Sequence, residues 1–85
     1  MEITFSPNAI EDLKYWKKIR DNKIMVRIDS LLKDIKNDPF KGIGKPEPLK
    51  HDFAGMWSRR INKEHRIIYE IQDGIVTIHA LREHY

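Results

Sequence analysis

No cysteine occurs anywhere in the 85 residues of this chain. That single absence removes disulfides, thiolate metal ligands and a cysteine nucleophile together. No apolar run approaches the roughly 18 residues a membrane-spanning helix needs. The opening Met1-Glu2-Ile3-Thr4-Phe5 also lacks the basic segment and apolar core of an export signal. A cytoplasmic protein without a membrane partner is expected. Metal-ligand spacing is missing too: the four histidines, at 51, 65, 79 and 84, form no His-x-x-x-His or Glu-x-x-His pair that would set two ligands on one helix face. No metal and no other cofactor is expected.

What is present describes an ordinary globular chain. With 40% hydrophobic and 34% charged residues, the composition is neither that of a disordered segment nor that of a membrane protein. The length fits one domain spanning residues 1–85, with one modest core. A net charge of +3 and a pI near 9.3 permit an acidic partner without requiring one. Cations on the helices read as a solvated face. Arginines inside the later strands are harder to set aside, because a buried guanidinium must meet a carboxylate, a carbonyl or an incoming phosphate.

Taken in order, Ile3-Thr4-Phe5 predicts a short strand, and Ser6-Pro7 a capped helix start. Ala9, Leu13 and Trp16 recur at helical spacing to about Arg20, with Glu11 and Asp12 read as first-turn acids. Asp21-Asn22 interrupts and can cap a second helix, on which Ile24, Ile28, Leu31 and Ile35 form a stripe down to Asp38-Pro39. A long connector to Pro48 follows. Strands are predicted over Leu49 to Phe53, Met56 to Asn62, His65 to Gln72 and Ile75 to Glu83, with Asp73-Gly74 as the strongest hairpin signal. The fold class is α+β, in the order β-α-α-β-β-β-β, with a twisted antiparallel sheet packed against a helical hairpin and one sheet face left open. Alternation groups Ile67, Tyr69 and Ile71 against Arg66, Ile68 and Glu70, and Trp57, Arg59 and Ile61 against Met56, Ser58, Arg60 and Asn62. Both sets carry apolar residues, so the pattern does not decide which faces the core.

The chemistry concentrates between Lys45 and Arg66. Glu47 stands between Pro46 and Pro48, so its backbone is constrained from both sides and its carboxylate sits on a stiff, extended support. That suits a general base that must meet one particular hydroxyl, although a rigid connector pointing its glutamate at water would look the same. Lysine, arginine and histidine follow closely at Lys50, His51, Arg59, Arg60, His65 and Arg66. RNA can be cleaved without a metal by a base for the 2′-hydroxyl, a cation for the charge developing on phosphorus and an acid for the leaving 5′-oxygen. Glutamate, arginine and histidine are residue types able to fill those roles near neutral pH. Composition supplies Glu47, Arg66 and His84, yet by itself does not select His84 over His51 or His65.

Gly44-Lys45-Pro46-Glu47-Pro48-Leu49-Lys50-His51, Trp57-Ser58-Arg59-Arg60-Ile61, His65-Arg66-Ile67-Ile68-Tyr69 and the closing His84-Tyr85 together resemble the YoeB (Txe) family of bacterial toxins, within the RelE/ParE superfamily. The resemblance runs essentially end to end. It implies the toxin of a type II toxin–antitoxin pair that cleaves mRNA at the ribosomal A site, dimerises, and is held inactive by a YefM/Axe-like antitoxin. It further implies Glu47 as general base, Arg66 as transition-state stabiliser, His84 as general acid and Tyr85 as a residue orienting the substrate. Lys50, His51, Arg59 and Arg60 would engage RNA phosphates. Two other functions compete: a ParE-like toxin that inhibits DNA gyrase by binding, and a non-catalytic RNA-binding module. Glu47 discriminates, because an anion beside a phosphate weakens binding unless it serves chemistry.

Overall fold

The computed structural model describes residues 1–84, the last of them by its backbone alone. Strand β1 (Glu2–Phe5) leads through Ser6 into helix α1 (Pro7–Lys18). The Ser6 hydroxyl accepts from Ala9 N–H at 3.1 Å, satisfying one of the donors a helix start leaves open, while Pro7 has none to satisfy. Arg20 turns left-handed (φ 56) and ends the run two residues earlier than expected. Asp21 then caps α2 (Asn22–Asn37) through Ile24 N–H at 3.1 Å. Of the α2 stripe, Ile28, Leu31 and Ile35 are buried and Ile24 is partly so. Complete burial of each such side chain is worth about 1.5–3 kcal/mol.

The sheet runs β1-β5-β4-β3-β2, built from β2 (Glu47–Pro48), β3 (Met56–Arg60), β4 (His65–Gln72) and β5 (Ile75–His84). The four later strands form the expected antiparallel meander. β1 joins it in parallel, Glu2 opposite Ile75 to Phe5 opposite Ile78. A strand followed at once by a helical hairpin can take the free edge beside β5, since β2 occupies the other. Between β4 and β5 both turn residues have positive φ, Asp73 at 53° and Gly74 at 76°, the two-residue geometry that matches strand twist.

The strand expected over Leu49 to Phe53 is corrected. The edge strand is Glu47–Pro48, and His51–Phe53 form a single 3-10 turn. Pro48 has no N–H to continue a ladder, and His51 is left-handed at φ 58, so pairing stops after Leu49 N–H donates to Met56 O at 2.8 Å.

The structure also decides the core face. Ile67 and Tyr69 are fully buried with the helices, and Trp57 and Ile71 pack against them. Arg59 shares that face and is itself 0% exposed. Its guanidinium pairs with the Asp34 carboxylate of α2, and Tyr69 Oη takes its Nε–H at 3.1 Å. The hydrogen bond from Arg59, helped by Ile43 N–H, holds the Asp34 carboxyl below its usual range. Burial pushes the Tyr69 phenol up, keeping it neutral.

A depressed carboxyl pKa stabilises the fold above the unfolded-state value and loses that contribution as pH falls through the folded one. Asp34→Asn is therefore expected to lower stability at pH 7 by about 2 kcal/mol, or roughly 8–15 °C in Tm. The difference from the parent should shrink as pH falls below about 4. Thermal unfolding of both proteins across that range checks this; an equal gap at pH 7 and at pH 2.5 would contradict it.

Candidate active site

The open face of the sheet is where the remaining polar strand residues meet. Glu47 is paired in register with Ser58, and Arg60 with Arg66, so these four residues present toward one face at one end of the sheet. Glu47 Oε1 lies 3.3 Å from Arg66 Nη2. Arg66 Nη1 donates to the buried Ser58 hydroxyl at 3.1 Å, which fixes the guanidinium plane from below. Exposure is uneven across the pair: the Arg66 side chain is 10% exposed and that of Glu47 49%. A braced cation thus lies at the floor and a carboxylate on a stiff edge strand leans over it. Two arginines directly opposed across a ladder repel, and an anion between them relieves that repulsion.

Of the other expected site residues, Lys50 and His51 are exposed just past β2, at the 3-10 turn beyond the sheet edge. Arg60 is exposed on the site face. Arg59 is a correction: it lies on the core side, and its donors are taken up by Asp34, Tyr69 and loop carbonyls, so it offers nothing to an RNA phosphate. The side chain of His84 and the whole of Tyr85 lie outside the described residues. The backbone of His84 pairs opposite His65, one step from Glu83 opposite Arg66, so β5 runs one residue further than expected. His65 itself is buried, edge-on to Trp16 at 5.0 Å, a core residue as its neighbours suggest.

Two features of the site escape sequence reasoning. One is Ser58, which alternation places on the right face but nothing marks as the brace of Arg66. The other is how the end of β5 is held after β1 stops. Ser6 Oγ and Asn8 Nδ2 donate to His79 O at 3.1 and 3.0 Å, Leu81 N–H donates to Asp12 Oδ2 at 2.9 Å, and Trp16 Nε1–H donates to Leu81 O at 2.9 Å. Side chains of α1 and of its cap Ser6 thereby take the place of a missing neighbour strand, each bond worth about 1 kcal/mol. Arg82 adds its guanidinium over the Tyr15 ring at 3.9 Å. Asp12 is thus a buried ladder partner rather than the first-turn acid expected. The only hint is that it sits one turn before Trp16 on the apolar side of the helix.

Among the described residues, no helix is long and apolar enough to cross a membrane. Residues 5–85 match the family model described as the YoeB-like toxin of bacterial type II toxin–antitoxin systems. The chain is 45% identical to toxin YoeB of Escherichia coli over 85 residues, covering 100% of both. Among solved structures it resembles a YoeB/ParE toxin from Agrobacterium tumefaciens (TM-score 0.92, 38% identity, 100% of both chains). It also resembles YoeB of Staphylococcus aureus, solved as a dimer and in a heterotetrameric complex with the antitoxin YefM (TM-scores 0.89 and 0.88, 45% identity, 100% of this chain and 98% of each). At these levels of identity and coverage, this chain belongs to the YoeB-like toxins of bacterial type II toxin–antitoxin systems.

Proposed function

We propose that the chain is a ribosome-dependent mRNA endoribonuclease that halts translation by cutting the message in the A site, in the cytoplasm, without a metal or other cofactor. A YefM-like antitoxin neutralises it, and the toxin is a homodimer, as solved for the Staphylococcus aureus relative. The observation that carries this reading is the Glu47–Arg66 pair on the open sheet face, a carboxylate 3.3 Å from a braced guanidinium. A surface built only to hold phosphate would gain by losing that carboxylate. A binding surface for a protein such as gyrase has no need of it.

The chemistry follows from the positions. Carboxylate and guanidinium stand as an ion pair at 3.3 Å. An incoming phosphodiester competes for Arg66 and Arg60, leaving Glu47 to face the adjacent 2′-hydroxyl. Glu47 takes that proton, O2′ bonds to phosphorus, and the bond from phosphorus to O5′ breaks. Arg66, always cationic, stabilises the extra charge on the non-bridging oxygens as it develops. His84 supplies the proton to O5′ and Tyr85 orients the substrate, roles carried over from the family. The products are a 2′,3′-cyclic phosphate and a 5′-hydroxyl. Lys50, His51 and Arg60 contribute phosphate contacts around the site.

Primer extension on a translated mRNA incubated with the protein and ribosomes tests the proposal. Cuts confined to codons in the A site are expected. An intact message under those conditions, with folded toxin bound to the ribosome, would contradict it.

A further inference from the structure

The connector between α2 and β2 has no secondary structure of its own to satisfy its backbone, and a single side chain does most of that work. Arg59 Nη2 donates to Asp38 O at 2.6 Å and to Lys41 O at 3.1 Å, and Nη1 to Ile43 O at 3.2 Å as well as to Asp34. Tyr69, tied to Arg59 Nε, donates its hydroxyl to Pro39 O at 2.7 Å. Ile43 N–H returns to Asp34 Oδ2 at 3.0 Å, and Arg60 N–H reaches Gly44 O at 2.7 Å. Five carbonyls of one loop are thereby turned onto Arg59, its neighbour Arg60 and its partner Tyr69. Three residues after Gly44 comes Glu47, and the residue Glu47 pairs with is Ser58, immediately before Arg59.

From this arrangement we infer that Arg59 is a positioning residue for the base: through the loop it gathers on the core face, it sets where Glu47 stands on the opposite face. The inference rests on Glu47 being the general base. Strand alternation makes the coupling direct, because Arg59 points down into the loop while Ser58 and Arg60 on either side of it point up into the site. The stiff Pro46-Glu47-Pro48 segment cannot absorb a shift of the loop by local rotation, so a displacement at residues 42–44 passes on to the carboxylate. A misplacement of about 1 Å at a reacting group can cost about 10²-fold in rate. Gly42 shows how closely the loop is drawn in. At φ 132 it holds a conformation other residues rarely adopt, and an added Cβ would overlap the Asp34 carboxylate and lie 3.1 Å from Arg59 Nη1.

Two variants perturb the hub from opposite sides. Arg59→Lys keeps the charge but lacks the planar fork that reaches five acceptors. Gly42→Ala keeps every hub side chain and displaces the loop instead. Each is made alone and together with Glu47→Gln, its folding is verified by circular dichroism and thermal unfolding, and single-turnover cleavage on ribosomes is measured with toxin in excess. Either hub variant is expected to slow cleavage about 10-fold or more in the parent and to have no further effect, within about twofold, in the Glu47→Gln background. Ribosome affinity and its salt dependence should not change, since Arg59 meets no phosphate. A loss arising only from a smaller folded fraction would multiply through both backgrounds equally. That result would overturn the inference while leaving Glu47 as base. Weaker ribosome binding in Arg59→Lys, with binding unchanged in Gly42→Ala, would also overturn it and restore the residue to the RNA surface. Full activity of Glu47→Gln alone would remove the base assignment and the inference with it.

Discussion

Arg66→Ala is expected to slow single-turnover mRNA cleavage by 10²-fold or more, and Glu47→Gln by a similar or larger factor, with ribosome binding largely retained in the second. Loss of one preorganised donor from a site of developing charge typically costs about 10²–10³-fold, and loss of a general base about 10²–10⁴-fold. Their effects on the fold should differ. Glu47 is half-exposed on a two-residue edge strand, so glutamine there leaves packing untouched. Arg66 is nearly buried and donates to Ser58, so alanine opens a void and leaves the hydroxyl short of a partner. The melting temperature should fall for Arg66→Ala and by less for Glu47→Gln, which keeps a polar neighbour beside the nearly buried Arg66 but gives up the opposite charge. Arg66→Lys separates charge from geometry: it retains the cation, loses the fork and should fall between parent and alanine. Wild-type cleavage by folded Arg66→Ala would remove the residue from the chemistry.

Much of the fold could be read from local signals, because the physics there is local. Ser6-Pro7 and Asp21 cap the helices they were expected to cap, and Asp73-Gly74 makes the two-residue turn its φ values require. β4 matches its predicted bounds because a β-rich run lies between two turns. Long-range choices were not legible in the same way. Alternation sorted the residues of β3 and β4 correctly into two faces but could not say which was buried, since Met56 and Ile68 sit with the site and Arg59 sits with the core. The placement of Arg59 depends on Asp34 and on carbonyls scattered through a loop with no periodicity, so an arginine in a basic run read naturally as a phosphate contact. Leu49 to Phe53 looked like a strand by composition, and the stops were the missing N–H of Pro48 and the left-handed backbone of His51. The Pro-clamped glutamate was conspicuous as a motif, but its guanidinium partner depended on a register that only pairing across three strands creates.

A message carrying a single 2′-deoxynucleotide at the cleavage position should survive intact on the ribosome, a loss of cleavage as complete as the assay can measure. In the proposed mechanism the attacking oxygen is the 2′-hydroxyl of the residue 5′ to the scissile phosphate, and Glu47 as base has no other proton to take there. Removing that one oxygen leaves every phosphate in place, so the contacts proposed for Lys50, Arg60 and Arg66 persist and toxin binding should stay within about twofold of the all-ribose message. The experiment isolates the central claim, that the Glu47–Arg66 pair activates an internal nucleophile rather than simply holding RNA or recruiting a water. Cleavage rate and toxin occupancy are measured on matched ribosome complexes that differ only in that sugar. The account predicts normal occupancy and no cut at the substituted position; normal occupancy with cleavage at the parent rate would contradict it.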